Sequence, residues 1–491
     1  METKKYLAFD FGASSGRAML CSLENGKMKI DEIHRFSNDP VSVCGHLYWD
    51  VLRLFHEIKQ GILKANAAGG FDFIGIDTWG VDFALLDKNG EMTANPVHYR
   101  DVRTEGMQEA LSLDISKEDL YKCNGTQQID LNTVYQLKYL SLKRPETLKQ
   151  AKRLLLIPDM FAYMLTGEER TEYTNASTTG LLDPKTKKWN TRILDAVGVD
   201  EDIFGKMIFP GETYGELRED ICEELHCKKV PVIAVATHDT GSAVVAVPTT
   251  EKDYAYISCG TWSLLGTVID EPILSDVSLS KGFTNEGAFD GKIRYLKNIM
   301  GLWLIQQSRH EFKRRGLDVS FDEMEKSARE AAPFACFIDP DAKDFVAPGD
   351  MPKRVQEYCR KTGQYVPRDM GEILRCIYQS LAFKYRYTVN KMEELTGKNF
   401  PAIHMIGGGI KDGLLCSMTA DYCRKPVFAG PVEATVIGNA TVLMMSAGEI
   451  ENITKGREII KNSFEIKEYT PNGSDSFDAE YEKFKSALKL Q

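Results

Sequence analysis

Three polar residues, His238, Asp239 and Thr240, interrupt an otherwise apolar stretch that runs from residue 230 to residue 245. The β-branched run before them predicts a buried strand, and the small residues after them can begin a helix. A carboxylate at the carboxyl end of a buried strand lies where open α/β sheets bind ligands. Asp239 is therefore a candidate catalytic carboxylate. The alternative is that Asp239 or Thr240 only caps the helix, since both residue types are favoured caps.

A second candidate site follows the first predicted strand, residues 5–11, where the sequence continues as Gly12-Ala13-Ser14-Ser15-Gly16-Arg17. Glycines allow the backbone to approach an anion closely, and hydroxyl and N–H groups supply donors to phosphate. Asp10, at the end of the strand, could hold Mg²⁺ directly or through water, because Mg²⁺ prefers hard oxygen ligands. The alternative is a plain β-hairpin whose turn uses Gly and Ser for conformational reasons.

An aromatic residue and carboxylates follow another predicted strand, in the segment GIDTWGVDF that begins at Gly75. Aromatic rings such as Trp79 cover the apolar faces of sugars, while carboxylates accept hydrogen bonds from sugar hydroxyls. Gly80 follows the ring, and a new strand is expected from Val81. This corner is a candidate sugar-binding wall, with a buried tryptophan in a hairpin corner as the structural alternative.

The second half of the chain repeats the sequence pattern of the first. A strand that begins near residue 255 is followed by Gly260 and Thr261 and then by a returning apolar strand, which predicts a second phosphate hairpin. Asn298 precedes a predicted helix that contains Gln306. Three glycines, residues 407–409, bring bare backbone against a flat ligand. We expect two copies of one α/β fold, in domains 1–247 and 248–491.

Helical segments are expected between these motifs. Residues 104–200 are predicted to be a mainly helical insertion, with 3.6-residue apolar spacing over residues 134–156 and 158–167. The same spacing predicts a long amphipathic helix over residues 371–395.

Composition limits the classes of function. The chain has 491 residues, which is too long for one ordinary core, and a net charge of -10, which argues against a nucleic-acid surface. No apolar run approaches the roughly 20 residues of a membrane span. The N-terminus does not have the pattern of a signal peptide. We therefore expect a cytoplasmic monomer or homodimer without nucleic-acid or membrane partners.

The eleven cysteines are scattered, which suits reduced thiols. Cys222, His226 and Cys227 are close in sequence, but they lack a second pair at zinc-finger spacing. Structural zinc is not expected.

Taken together, the motifs resemble those of the FGGY carbohydrate kinases over about residues 5 to 470. The matching segments are DFGASSGR, IDTWGVDF, HDT, SCGTWSL, LKNIMGLW and the triple glycine before GPVEAT. The resemblance implies an α/β fold of two ribonuclease-H-like (actin-like ATPase) domains with a catalytic cleft between them. It also implies ATP-dependent, Mg²⁺-assisted phosphorylation of a sugar, with L-rhamnulose as the expected substrate and its 1-hydroxyl as the acceptor.

Residue roles follow from the same resemblance, position by position. Asp239 is expected to be the general base, and Asp10 to lie near the metal. The residues expected to line the sugar are Gly80, His238, Thr240 and Asn298. The residues expected to contact ATP are Ala13, Ser14, Ser15, Gly16, Arg17, Thr261, Gln306 and Gly408.

Three alternatives stay open from the sequence. The first keeps the fold and changes the sugar to L-fuculose, xylulose or another ketose, because a few pocket contacts set sugar choice. The second is an actin- or chaperone-type ATPase, and the third is a sugar-responsive regulator, since a fold alone does not fix a function.

Overall fold

The computed structural model describes residues 3–473 and 476–490, which form two compact units. The first unit runs to Thr250 and also includes Val268–Tyr295 and Ala434–Ser463. The second comprises Glu251–Thr267, Leu296–Glu433 and the chain from Phe464 onward. Division into domains 1–247 and 248–491 stays a sequence-based prediction.

The strands of the described chain are grouped into two large mixed sheets and several two-stranded pairs. They are Lys5–Phe11 (β1), Ser15–Glu24 (β2), Lys27–Ser37 (β3), Val41–Val43 (β4), His46–Tyr48 (β5), Phe73–Thr78 (β6), Phe83–Leu86 (β7), Arg153–Leu156 (β8), Arg170–Glu172 (β9), Leu182–Asp183 (β10), Lys188–Trp189 (β11), Lys206–Ile208 (β12), Thr213–Glu216 (β13), Pro231–Ile233 (β14), Ala255–Cys259 (β15), Trp262–Ile269 (β16), Thr284–Gly287 (β17), Ile293–Met300 (β18), Ile403–Ile406 (β19), Val427–Ala429 (β20) and Lys467–Tyr469 (β21).

The α-helices lie between the strands and range from single turns to a helix of seven turns. They are Val51–Ala67 (α1), Met107–Leu111 (α2), Lys117–Asn124 (α3), Thr133–Lys143 (α4), Pro145–Gln150 (α5), Ile157–Thr166 (α6), Tyr173–Ala176 (α7), Thr191–Val197 (α8), Glu219–Leu225 (α9), Asp239–Val245 (α10), Asp276–Lys281 (α11), Trp303–Arg314 (α12), Phe321–Glu330 (α13), Met351–Lys361 (α14), Met370–Thr396 (α15), Gly413–Cys423 (α16), Ala434–Ser446 (α17), Ile453–Ser463 (α18) and Ser476–Ala487 (α19).

The first large sheet has the strand order β13-β14-β6-β1-β2-β3. Its central strand, β1, pairs antiparallel with β2 on one side and parallel with β6 on the other. Strand β14 continues the parallel half beside β6. The carboxyl ends of the parallel strands β14, β6 and β1 therefore lie along the same edge of the sheet. Open α/β sheets bind ligands at this edge.

The second large sheet repeats this arrangement in the order β17-β18-β16-β15-β19-β20-β21. Here β15 pairs antiparallel with β16 and parallel with β19, and β20 continues the parallel half. The repeat inferred from the two glycine-containing hairpins is thus confirmed at the level of the sheets. The fold class is two ribonuclease-H-like, actin-like α/β units, as predicted.

Helix α1 shows how the apolar spacing fixes a helix on the first sheet. Its N-cap Asp50 accepts a hydrogen bond from the Arg53 amide at 3.3 Å. Its apolar face, which includes Leu54, Ile58 and Ile62, is buried. Full burial of each such side chain stabilises the fold by about 1.5–3 kcal/mol.

Two local predictions were wrong. Residues 153–156 form strand β8, which pairs with β7, instead of ending a helix. The reason is that Pro145 starts a separate short helix, and a short buried apolar run has no periodicity that distinguishes strand from helix. The strand expected from Val81 starts at Phe83, because Val81 itself lies in the left-handed region, with φ +68°.

Candidate functional site

Three aspartates converge at the carboxyl edge of the first sheet. Asp10 on β1 lies opposite Asp77 on β6 in the parallel register. Strand β6 is extended by a parallel bridge between Thr78 and His238, and the Thr78 amide donates to the Thr237 carbonyl at 2.9 Å. This bridge brings the residue after His238, Asp239, to the same edge. The sequence motifs around residues 10, 77 and 239 therefore belong to one site.

Asp77 is the most buried of these carboxylates, with no exposed surface. Burial raises its pKa well above the usual range, and the charges of Asp10 and Asp239 raise it further, although a hydrogen bond from Asn439 opposes this shift. That bond joins Asn439 Nδ2 to Asp77 Oδ2 at 2.6 Å, and within the described residues Asp77 Oδ1 has no hydrogen-bond partner. The sequence analysis placed Asp77 in the candidate sugar-binding corner, but it did not predict the burial of this carboxyl or its contact with Asn439.

The first hairpin contains the predicted phosphate loop. Asp10 and Arg17 lie opposite each other on β1 and β2, and Arg17 Nη2 donates to Asp10 Oδ2 at 2.5 Å. Asn38 fixes the turn by donating through Nδ2 to the Gly12 carbonyl at 2.8 Å. Ala13 and Ser14, at the tip, are exposed, and their polar backbone is therefore accessible to a ligand.

Asp239 is the first residue of helix α10, and the N-cap is His238. The Asp239 Oδ1 atom accepts hydrogen bonds from Thr240 N at 2.5 Å and from Thr240 Oγ1 at 3.1 Å. Its side chain is 31% exposed, whereas that of His238 is 10% exposed. His238 and not Asp239 or Thr240 is thus the N-cap, yet the Asp239 carboxylate still accepts from the first-turn amide of Thr240 and is partly accessible.

Behind His238 lies a buried charge pair that sequence reasoning missed. Arg294, which has no exposed surface, places Nη2 3.0 Å from His238 Nδ1 and 3.1 Å from Glu286 Oε2. Although burial raises it, the pKa of Glu286 is held below its usual value, chiefly by the charge of Arg294. In the sequence Glu286 and Arg294 lie on two adjacent strands, β17 and β18, but their partner His238 is 56 residues from Arg294.

The polar segment after β9, which begins with the single helical turn α7, is also part of the site. The buried Glu172 carboxylate accepts hydrogen bonds from Thr174 N and Oγ1 at 2.7 and 2.6 Å and from Asn175 N at 3.1 Å. It also accepts from Thr237 N and Oγ1 at 3.1 and 2.6 Å. Glu172 thus joins the loop of residues 172–180 to the segment that carries His238 and Asp239, a role that its sequence did not reveal.

The same loop holds the turn at Gly80. A Cβ at Gly80 would lie 2.8 Å from Thr178 Oγ1, so glycine is needed for this close approach. Thr178 Oγ1 accepts a hydrogen bond from Val81 N at 3.0 Å. Thr133 Oγ1 donates to the Val81 carbonyl at 2.6 Å. Strained backbone at a β-branched residue is typical of functional sites, and here neighbouring hydrogen bonds maintain it.

An aromatic wall follows this turn. The rings of Trp49 and Trp79 lie 4.0 Å apart between centroids, and His98 stacks on Trp49 at 4.1 Å. Both indole N–H groups donate to Asp82 Oδ2, at 2.6 Å from Trp49 and 3.1 Å from Trp79. Tyr99 N donates to the same oxygen at 3.1 Å. The corner around Trp79 is therefore both aromatic and polar, but Trp49, Trp79 and Asp82 are all buried, as in the alternative of a buried tryptophan in a hairpin corner. The sugar-binding wall stays a prediction.

The remaining predicted site residues belong to the second unit. Thr261 lies in the β15–β16 turn, and its carbonyl accepts from the Trp303 amide at the start of α12 at 3.2 Å. Gln306 lies on α12 and Asn298 on β18. Gly408 is exposed, with open space where a Cβ would lie. The structure brings Gly80, His238, Asp239 and Thr240 together in the first unit. The other four, which belong to the second unit, are Thr261, Asn298, Gln306 and Gly408.

A further cluster lies outside these motifs. The Sγ atoms of Cys336, Cys359 and Cys376 lie within 4.8 Å of one another, and all three residues are buried. All eleven cysteines are free thiols.

Comparison with known proteins agrees with this geometry. Residues 5–246 match the N-terminal domain of the FGGY family of carbohydrate kinases, and residues 255–447 match its C-terminal domain. The chain belongs to the FGGY family of carbohydrate kinases. As a member of that family it is a sugar kinase, with ATP as co-substrate.

Relatives within the FGGY family match the chain over nearly its full length. A rhamnulokinase of Bacteroides thetaiotaomicron is 41% identical over 99% of this chain and 100% of its own length. A rhamnulokinase of Bacillus subtilis is 41% identical over 96% of each chain.

Solved FGGY structures share the fold at low identity. A xylulose kinase from Lactobacillus acidophilus has a TM-score of 0.81 at 17% identity and covers 99% of this chain and 96% of that chain. A Plasmodium falciparum glycerol kinase with ADP has a TM-score of 0.80 at 14% identity, with coverages of 99% and 97%. Within residues 3–473 and 476–490, no helix is both long and apolar enough to cross a membrane.

Proposed function

We propose that this FGGY kinase phosphorylates L-rhamnulose on its 1-hydroxyl, giving L-rhamnulose 1-phosphate and ADP in the catabolism of L-rhamnose. The observation that carries the proposal is the identity of about 40%, over nearly the whole chain, to relatives named rhamnulokinase. The carboxylate of Asp239, which is 31% exposed and held by Thr240, supports the same activity.

Asp239 is the proposed general base. The hydroxyl of a sugar becomes acidic only as its bond to phosphorus forms, so a carboxylate is a suitable proton acceptor. Thr240 holds one carboxylate oxygen by two hydrogen bonds and thereby fixes the direction of the other. Positioning of this kind accounts for most of the catalysis in phosphoryl transfer.

Sugar-binding and nucleotide-binding roles are proposed for the other predicted residues. Gly80, His238, Thr240 and Asn298 are proposed to contact the sugar. The residues proposed to contact ATP are Ala13, Ser14, Ser15, Gly16, Arg17, Thr261, Gln306 and Gly408.

Asp10 is the proposed ligand of Mg²⁺, directly or through water. The residues present fit a hard cation, because Asp10 and the buried Asp77 are register partners on neighbouring parallel strands and the charge of Asp10 raises the pKa of Asp77. Asp77 Oδ1 has no hydrogen-bond partner among the described residues, which fits an oxygen-rich site that takes a cation. When bound, Mg²⁺ supplies neutralisation of phosphate charge.

A cytoplasmic location and a monomeric or homodimeric state are proposed from the sequence. The acidic balance, with a net charge of -10, supports a small-molecule substrate over nucleic acid.

The test of the proposed substrate is sugar-dependent ADP release by the native protein with Mg²⁺. L-rhamnulose, L-fuculose, D-xylulose, L-xylulose, L-ribulose and glycerol would be compared by kcat/KM, and phosphorus NMR would locate the phosphate on the product. We expect the highest kcat/KM for L-rhamnulose, with phosphate on the 1-oxygen. A higher value for L-fuculose or a xylulose would overturn the substrate assignment and favour the corresponding ketose kinase.

A further inference from the structure

We propose that Arg294 and Glu286 are positioning residues that hold His238 as a neutral imidazole, with its proton on Nε2 and directed at Asp239. This inference rests on the proposed role of Asp239 as the general base. It assigns a role to a buried ion pair that neither binds the sugar nor touches the nucleotide in the function proposed above.

The proton position follows from the chemistry of the partners. Arginine carries only donors and stays protonated, so His238 Nδ1, at 3.0 Å from Arg294 Nη2, must accept. A neutral imidazole that accepts at Nδ1 carries its proton on Nε2. His238 Nε2 lies 3.4 Å from Asp239 Oδ1, so this proton points toward the proposed base.

Glu286 makes the buried arginine possible. Arg294 is fully buried, and an isolated buried charge is very costly. Its Nη2 lies 3.1 Å from Glu286 Oε2, and its Nε donates to the Gly287 carbonyl at 2.8 Å. Within the described residues neither Arg294 Nη1 nor Glu286 Oε2 has a hydrogen-bond partner, so Arg294 and Glu286 interact as an ion pair.

Glu286 also has an opposing effect. Its Oε2 lies 3.4 Å from His238 Nδ1, and a carboxylate there favours a proton on Nδ1. The guanidinium is closer to Nδ1, at 3.0 Å, and opposes that proton both by its charge and by its own N–H group. Arg294 therefore offsets the effect of Glu286 and keeps a proton off His238 Nδ1.

The charged and titratable groups around His238 come from four elements. Asp239 lies on α10, Glu286 on β17 and Arg294 on β18. Glu172, at the end of β9, binds the neighbouring Thr237. Among the described groups that face the histidine, Arg294 is the cation that offsets these carboxylates.

The charge of His238 matters because an imidazolium beside Asp239 would stabilise the ionised carboxylate and weaken it as a proton acceptor. A neutral His238 instead offers one N–H group that orients Asp239 or a sugar hydroxyl. The positioning residues thus set the charge next to the base without touching the substrate.

Kinetics of a single and a double variant test the proposal. Arg294→Met leaves Glu286 facing His238 and raises its proton affinity, so we expect kcat at pH 7 to fall about tenfold or more. Because His238 loses its added proton as the pH rises, kcat of this variant should recover at alkaline pH relative to the native enzyme. Arg294→Met/Glu286→Gln removes both charges, and we expect it to regain most of the kcat at pH 7.

A buried cation elsewhere in the first unit provides the control. Lys138 is buried and donates to Asp114 Oδ2 at 2.6 Å and to the Ala196 carbonyl at 2.9 Å. We expect Lys138→Met to lower stability while leaving the pH profile of kcat unchanged. A double variant as slow as Arg294→Met at every pH would overturn the proposal, because it would indicate a purely structural role.

Nitrogen-15 NMR of the native protein tests the proton position without any turnover. His238→Gln identifies the His238 signals among those of the eight histidines. We expect neutral His238 with the proton on Nε2 at pH 7, and a proton on Nδ1 or on both nitrogens contradicts the inference. If the native protein shows this tautomer but releases no ADP with L-rhamnulose, the proposed function fails while the assignment of the imidazole stands.

Discussion

At the scale of single residues, burial sets the charge state of the carboxylate in the aromatic wall. Asp82 accepts hydrogen bonds from two indoles, from the Tyr99 amide and from Gln136 Nε2 at 3.0 Å. Burial nevertheless dominates and raises the pKa of Asp82 from 3.8 to about 6. The folded chain therefore holds this proton more tightly than the unfolded chain.

Stability should consequently depend on pH through Asp82. A raised folded-state pKa stabilises the protein fully below the unfolded value of 3.8, and this stabilisation is lost as the pH rises through about 6. The free energy involved is about 3 kcal/mol. Asp82→Asn does not titrate, so its unfolding free energy relative to the native protein should rise by about 2–3 kcal/mol between pH 4 and pH 7.

Urea denaturation at several pH values measures this difference. The fixed cost of the lost hydrogen bonds cancels when the same variant is compared with the native protein at pH 4 and pH 7. A difference in unfolding free energy that stays constant across this range would show that Asp82 ionises in the folded chain as easily as in the unfolded one.

At the scale of elements, one buried carboxylate joins two segments. Replacing Glu172 by Gln puts an amide where Thr174 and Thr237 present donors, so at least one buried donor loses its acceptor. We expect Glu172→Gln to lower the unfolding free energy by about 2–3 kcal/mol. We also expect a fall in kcat with little change in KM for ATP, because the segment that carries Asp239 loses its support.

A matched substitution is Glu169→Gln in the same region. Glu169 pairs with Arg153 at 2.7 Å near the surface, where ion pairs contribute about 0–1 kcal/mol. Urea denaturation and steady-state kinetics of both variants compare the two positions. Equal effects at both would contradict the role assigned to Glu172.

The crossing of helices α10 and α17 depends on a glycine. A Cβ at Gly438 would lie 1.8 Å from the Ser242 carbonyl oxygen, which is backbone and cannot rotate away. We expect Gly438→Ala to lower the unfolding free energy by about 2–3 kcal/mol. It should also lower kcat, since α17 carries Asn439 to the Asp77 carboxylate at 2.6 Å.

Gly413→Ala is the control for this prediction. A Cβ there would meet the Tyr469 hydroxyl at 3.6 Å and Glu325 at 3.9 Å, which are ordinary contacts. Thermal and urea unfolding of the two alanine variants should differ in size, with Gly413→Ala within about 1 kcal/mol of the native protein. Equal destabilisation by the two substitutions would contradict the prediction, because it would show that α10 and α17 can move apart to accommodate the added Cβ.

The sequence predicted the elements whose residues signal their own structure. Residues 5–11 and 255–259 were predicted to be strands because each apolar run ends at glycine. Helix α15 was predicted from its apolar spacing. Strand β8 was missed because its short apolar run has no periodicity that distinguishes a strand from a helix.

At the scale of the whole molecule, contacts between distant segments account for what the sequence did not reveal. Asn439 lies 362 residues from Asp77, so its role depends on tertiary structure alone. The same holds for Arg294 and for Glu172, whose charges the local sequence does not relate to His238. The motifs themselves were visible, because phosphate loops and strand-end carboxylates carry their chemistry in a few consecutive residues.

The most direct test of the account is the sugar-dependent release of ADP by Asp239→Asn compared with the native protein. Because the carboxamide keeps the size of the side chain but cannot accept the hydroxyl proton, we expect kcat to fall by about 10²- to 10⁴-fold. Binding of L-rhamnulose, followed by tryptophan fluorescence, should change little. A variant that retains native kcat with L-rhamnulose would contradict the assignment of Asp239 as the base.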